Sequence, residues 1–116
     1  MNNELSQTAI IVNHDGLGHA DEALRYKLAT NYFRTLLELG QLPQSVLFYA
    51  AGVKLVAQGS PCLKELTELA AAGVPLIACR TCLDFYGLME SVAVGEIGNM
   101  LRIVEAQAAA EKVIAV

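Results

Sequence analysis

The chain has 116 residues, a net charge of −4 and 54% apolar residues, which gives one domain with a real core and no basic patch for nucleic acid. No apolar run reaches the ~18 residues of a spanning helix, and the amino terminus lacks a signal-like pattern, so a cytoplasmic protein without membrane contact is expected. The apolar surplus is read as subunit interface, and three cysteines fit thiol chemistry in a reducing compartment rather than a disulfide framework.

Met1 to Gln7 is polar and is expected to fray. Thr8 to Val12 reads as a first strand. It opens into Asn13-His14-Asp15-Gly16-Leu17-Gly18-His19, where Gly16 and Gly18 can take positive φ and let a backbone approach a ligand. Asp21 stands where a dinucleotide fingerprint needs its third glycine, and the loop is not a Walker loop either. His14, Asp15, His19 and Asp21 lack a helical or C-x-x-C frame. They read as polar turn residues, and no metal or cofactor is expected.

Asp21 can cap a first helix that runs to about Leu39 and stops at Gly40. Its inward stripe is read as Leu24, Leu28, Tyr32, Leu36 and Leu39, with Phe33 beside it. Val46 to Ala50 is the second strand. Gly52 and Gly59 bracket a turn or short helical segment at the carboxyl edge of the sheet. Ser60 caps a helix with Pro61 at its first position, Leu63, Leu66 and Leu69–Ala70 facing inward, and Gly73 at its end. Cys62, in the first turn, reads as structural.

Leu76, Ile77 and Ala78 follow Pro75 without interruption and suit a buried parallel strand ending in Cys79. Thr81 and Asp84 approximate a capping box, so a short helix is expected from about Cys82 to Met89. Val92 to Val94 is read as a short fourth strand. Asn99 caps the last helix, whose inner side is Met100, Ile103, Val104 and Gln107–Ala108, and Lys112 to Val116 closes the chain as a strand.

Strands alternating with helices imply an α/β domain with a mainly parallel sheet. Cys79 then sits at the carboxyl edge, where open sheets place reactive groups. A helix amino end and Arg80 there favour a thiolate, so Cys79 is expected to react at lower pH than a buried Cys62. The plainer alternative is that both cysteines of C-R-T-C are small buried hydrophobes.

Four segments resemble the DsrE-like (DsrE/F, YchN-type) sulfur-relay family: the Asn13-to-Gly18 loop, F-Y-A-A-G-V-K-L, C-R-T-C-L-D-F-Y-G-L and V-G-E-I-G-N-M. The resemblance is closest to the C-terminal domain of the YedF-like subgroup, which is associated with selenium metabolism. It implies a three-layer α/β/α sandwich with a five-stranded, mainly parallel sheet. It also implies a homo-oligomer, often a trimer or hexamer, and a sulfur-carrier protein as donor or acceptor.

In that family the cysteine eight residues before a glycine carries sulfur as a persulfide. Cys79 stands so before Gly87, and Cys82 matches the second cysteine of the YedF-like subgroup. On this resemblance Cys79 accepts a sulfane sulfur and Cys82 resolves it. Arg80, Thr81, Asn13, Asp15, Gly16 and Gly52 are candidate substrate-binding residues. Arg80 stands where the subgroup usually has glycine, and Ala50-Ala51 where it tends to have Asn-Ser. The alternatives are a non-catalytic assembly subunit and a thioredoxin-type oxidoreductase. The latter lacks a proline downstream of C-R-T-C.

Overall fold

The computed structural model describes residues 2–116. Five strands form one sheet in the order β4-β3-β2-β1-β5, every pairing parallel. They are β1 (Thr8–Val12), β2 (Ser45–Phe48), β3 (Leu76–Cys79), β4 (Glu96–Gly98) and β5 (Lys112–Ala115). The helices are α1 (Glu22–Leu39), α2 (Leu63–Ala71), α3 (Arg80–Phe85) and α4 (Met100–Ala109), with a 3₁₀ helix at Ala50–Val56.

From β1 to β4 each connection steps one strand in the same direction. The β4–β5 connection returns across the whole sheet. Right-handed crossovers therefore put α1 and α2 on one face and α4 on the other, which is the three-layer sandwich. The direct packing of α1 on α2 agrees with this. β1, β2 and β3 are buried along their full length, as the uninterrupted apolar runs require, whereas the edge strand β5 is largely exposed.

Several boundaries and faces differ from expectation. Helix α1 does follow Asp21 and ends at Gly40 in the left-handed conformation, but the Asp21 side chain makes no cap hydrogen bond. Its buried seam is Ala29, Phe33 and Leu36, while Leu24, Leu28 and Leu39 are exposed. Leucines stand on both flanks of this helix, so apolar spacing alone cannot choose the inner one. Fully buried Ala29 marks the closest approach.

Helix α2 begins at Leu63 with Cys62 as its N-cap residue, two positions later than Pro61 would allow. Ser60 instead closes a local turn, its Oγ accepting from the Cys62 N–H at 3.3 Å. Helix α3 starts at Arg80 directly out of β3 and ends at Phe85, so neither the Thr81–Asp84 capping box nor an end at Met89 is seen. The second strand stops at Phe48, ahead of Ala50.

The fourth strand is Glu96–Gly98, paired Ile77↔Glu96 and Cys79↔Gly98, not Val92–Val94. Val92 makes only an isolated antiparallel bridge to Ala57. An outer strand with exposed Glu96 carries no apolar signal. Asn99 caps α4 as expected, its Oδ1 accepting from the Arg102 N–H at 2.9 Å. The buried side of α4 is Ile103 and Ala106, while Met100, Val104 and Ala108 are exposed.

The amino-terminal segment is tied down rather than frayed. Asn3 Nδ2 donates to the Leu42 carbonyl at 2.8 Å, and Asn3 Oδ1 accepts from the Leu42 N–H at 3.0 Å. Met1 lies outside the described residues. On the α1–α2 side, Arg34 hydrogen-bonds Glu65, a carboxylate only 3% exposed, so a charge in the helix interface is paired.

Candidate functional site

The carboxyl edge of the sheet collects the loop after β1, the 3₁₀ helix after β2, and α3 after β3. Cys79 is the last residue of β3 and the N-cap residue of α3, with φ −66° and ψ 121°. Its side chain turns into the core and is 0% exposed. Three residues on, Cys82 lies one helical turn along α3 and is only partly buried. Among the described residues all three cysteines are free thiols.

The two thiols are neighbours in energy as well as in space. Burial pushes the Cys82 thiol above its ordinary pKa, and a hydrogen bond with the Cys79 side chain pushes it further; the Ala50 N–H opposes both. That N–H donates to Cys82 Sγ at 3.1 Å. Ala50 reaches it from a left-handed conformation, φ +51°, the one positive φ at a non-glycine residue among the described residues. The turn is anchored on both sides. The Tyr49 N–H donates to the Val12 carbonyl at 3.1 Å, and the Gly52 N–H donates to the Tyr49 carbonyl at 3.0 Å.

A cleft of about 420 Å³ opens over Cys82, lined by Tyr49, Ala50, Met100, Ile103 and Gln107 as well as the cysteine. None of these side chains is charged. The sequence assigned no site role to any of them. The usable signals were the spacing of Met100, Ile103 and Gln107 along one side of the last helix and the place of Tyr49 and Ala50 in the F-Y-A-A-G-V-K-L segment. The resemblance marked Ala50 only as a departure from Asn, and alanine does not advertise a positive φ.

The other candidate residues fall into separate roles. Arg80 and Thr81 are exposed in the first turn of α3. Asp15 pairs with Arg25 at 3.0 Å, and Arg25 also donates to the Ala20 carbonyl at 2.6 Å. Gly16, φ +141°, packs so closely on α1 that an added Cβ would stand 2.4 Å from Arg25 Cβ. Gly52 packs on β1, where a Cβ would stand 2.0 Å from the Val12 carbonyl oxygen and 3.2 Å from the Asn13 nitrogen. The close approaches at Gly16 and Gly52 are thus protein to protein. Asn13 is partly buried at the mouth of β1.

His14 and His19 stack edge to face at 4.4 Å, and no group of three or more metal-ligating side chains gathers among the described residues. A second cleft of about 400 Å³, with Asp15, Tyr26, Lys54 and Tyr86 on its walls, contains no cysteine. Lys54 Nζ lies there 4.5 Å from the centre of the Tyr86 ring. No helix among the described residues is long and apolar enough to cross a membrane.

The model of the DsrE/DsrF-like family matches residues 7–116. The chain belongs to that family. Among solved structures, it is similar to the YchN protein of E. coli at 20% identity and TM-score 0.69, covering 95% of this chain and 99% of the other. A protein of unknown function from Methanobacterium thermoautotrophicum matches at 19% identity and TM-score 0.70, over 94% of this chain and 97% of the other. One from Bacteroides thetaiotaomicron matches at 17% identity and TM-score 0.67, over 99% and 100%. No curated protein sequence matches the chain. At these identities the structural likeness fixes the fold, and the family membership supports a role of sulfur-relay type.

Proposed function

We propose that this DsrE-like protein carries a sulfane sulfur at the Cys79–Cys82 pair, acting as a persulfide relay or sulfurtransferase in a reducing, cytoplasmic setting. The observation that supports this most is the placement of two free thiols one helical turn apart at the carboxyl end of β3, one buried and one lining a cleft. A thiolate can take the outer sulfur of a persulfide donor, and a second thiol can then displace it as sulfide. Donor and acceptor are thiol-bearing sulfur-carrier proteins, met at the exposed first turn of α3 by Arg80 and Thr81. A selenium counterpart would use the same two thiols.

The test incubates reduced protein with an alkyl persulfide and follows intact mass and released sulfide. The wild-type chain is expected to gain one sulfur atom, or to lose two hydrogens and release sulfide as Cys79 and Cys82 join. The Cys79→Ala/Cys82→Ala double variant is expected to do neither. A wild-type chain that neither gains sulfur nor releases sulfide would favour the reading as a non-catalytic assembly subunit.

We further propose that the protein is a homo-oligomer, a trimer or hexamer. Met100, Leu101 and Val104 of α4 and Val113 of the edge strand β5 are large apolar side chains left in water. Light scattering at micromolar concentration is expected to give a multiple of the single-chain mass. A monomer mass there would refute this.

A further inference from the structure

We propose that the cleft of about 400 Å³ between the 3₁₀ helix and Tyr86 is a second binding site, for a small organic monoanion whose carboxylate is received by Lys54 and whose body is apolar or aromatic. It shares no residue with the cleft over Cys82, so it stands apart from the relay reading.

Its place in the fold is that of a ligand site. Open α/β sheets hold their ligands outside the carboxyl ends of the strands. The three connections that leave β1, β2 and β3 at that edge all reach this cleft: Asp15 from the first, Lys54 from the second, Tyr86 and Leu88 from the third. Tyr26 of α1 forms a further wall. The volume lies within the range of about 300–1,000 Å³ that small-molecule sites occupy. Gly59, also in the lining, has φ +88°, and an added Cβ there would meet nothing within 4 Å, so no protein atom fills the space beside it.

Charge sets the sign of the ligand. Two charged side chains line the cleft, Asp15 and Lys54. Asp15 is already paired with Arg25 at 3.0 Å. Lys54 has no carboxylate within ion-pair distance among the described residues. Its ammonium instead lies 4.5 Å from the centre of the Tyr86 ring, a contact that holds it at the wall and leaves N–H donors for an anion. The uncompensated charge is therefore a single positive one. A carboxylate set against it gains a charge-assisted hydrogen bond. A cationic ligand would meet Lys54 with no free carboxylate in return, and a dianion would bring one charge without a partner into a partly apolar cleft.

The other walls set the body of the ligand. Leu55, Pro61 and Leu88 are aliphatic, and Tyr26 and Tyr86 are aromatic. Burial, and then the Glu22 and Asp15 carboxylates, raise the Tyr26 phenol, so it stays neutral. The same two carboxylates disfavour an anionic group at Tyr26. This orients the ligand, with its carboxylate at Lys54 and its apolar end at Tyr26.

The experiment titrates folded wild-type protein with phenylacetate and reads ligand-observed saturation-transfer NMR, which serves a monomer and an oligomer alike. Saturable binding is expected, with a Kd in the millimolar range or below. Lys54 is exposed, so its replacement leaves the core intact. Lys54→Gln should weaken binding at least about tenfold, and Lys54→Arg, which keeps the charge, should stay within about threefold of wild type. Lys64→Gln removes an exposed lysine of α2 outside the cleft and should change nothing. Phenylacetamide, which lacks the charge, and acetate, which lacks the ring, should each bind at least about tenfold more weakly than phenylacetate. Absence of saturable phenylacetate binding to wild type overturns the site. So does a Lys54→Gln protein that binds like wild type, or equal weakening by Lys54→Gln and Lys64→Gln. Phenylacetamide binding as tightly as phenylacetate overturns the anion assignment, and acetate doing so overturns the apolar body. None of these readings involves Cys79 or Cys82, so the relay stands or falls by its own test.

Discussion

Gly52→Ala is expected to destabilise the fold by about 3 kcal/mol, at the upper end of what one added methyl costs in a packed interior. The cause is specific. Gly52 has no positive φ to protect; it is needed because the 3₁₀ helix crosses directly over the end of β1. A methyl there would lie 2.0 Å from the Val12 carbonyl oxygen and 2.7 Å from its carbon. Both atoms are backbone of a strand buried along its whole length, so no side chain can swing away. The 3₁₀ helix must lift off β1, weakening the Tyr49-to-Val12 and Gly52-to-Tyr49 hydrogen bonds. The same displacement withdraws the Ala50 N–H from Cys82. Urea unfolding should show a lower midpoint with unchanged slope, and the surviving folded protein should load sulfur more slowly than wild type. A midpoint shift worth less than about 0.5 kcal/mol would mean that the crossing is looser than the structure has it.

The layering was legible in the sequence because it follows from strong signals. Uninterrupted runs such as Leu76–Ala78 have no solvent face and can only be central parallel strands. Asn99 and Gly40 announced real helix ends with a hydrogen bond and a left-handed turn. What failed was whatever tertiary contact decides. Helix α1 offers leucines on two flanks, and only the sheet selects the Ala29–Phe33–Leu36 side. Strand β4 exists because β3 has a free edge, so Glu96–Gly98 needed no apolar pattern to pair. The C-R-T-C segment located the site, and its place at the end of a strand was readable. Its internal arrangement was not. Which cysteine is buried depends on α3 starting at Arg80, one residue after Cys79, and capping logic had put that start near Cys82. The Ala50 contact depends on a backbone conformation that alanine rarely adopts, so no pattern could report it.

Cys62 should make the protein lose stability in alkali. It is 0% exposed, and its thiol is pushed up to about 11, first by burial, then with a contribution from the Glu65 carboxylate, against a hydrogen bond from Ser60 that lowers it. In the unfolded chain the same thiol ionises near its ordinary value of 9.0. The folded state thus holds its proton longer than the unfolded state. The resulting contribution is intact below about pH 9 and is lost as pH rises towards about 11, because ionisation then rewards unfolding. With one pKa unit worth about 1.4 kcal/mol, the loss reaches about 2 kcal/mol near pH 10.5. Tyr26, Tyr32 and Cys82 are raised as well and add to the alkaline slope, but they do so equally in a protein that lacks the Cys62 thiol. The measurement therefore compares wild type with Cys62→Ala by urea unfolding at neutral pH and near pH 10.5. At neutral pH the variant should be the weaker by about 1 kcal/mol, the cost of a small cavity beside the start of α2. Near pH 10.5 the order should reverse, since the variant has no thiol left to ionise. Parallel losses in the two proteins would show that Cys62 is open to water when folded. It would then alkylate in the folded protein as an open thiol does, and the contrast between a structural thiol at α2 and a working pair at α3 would disappear.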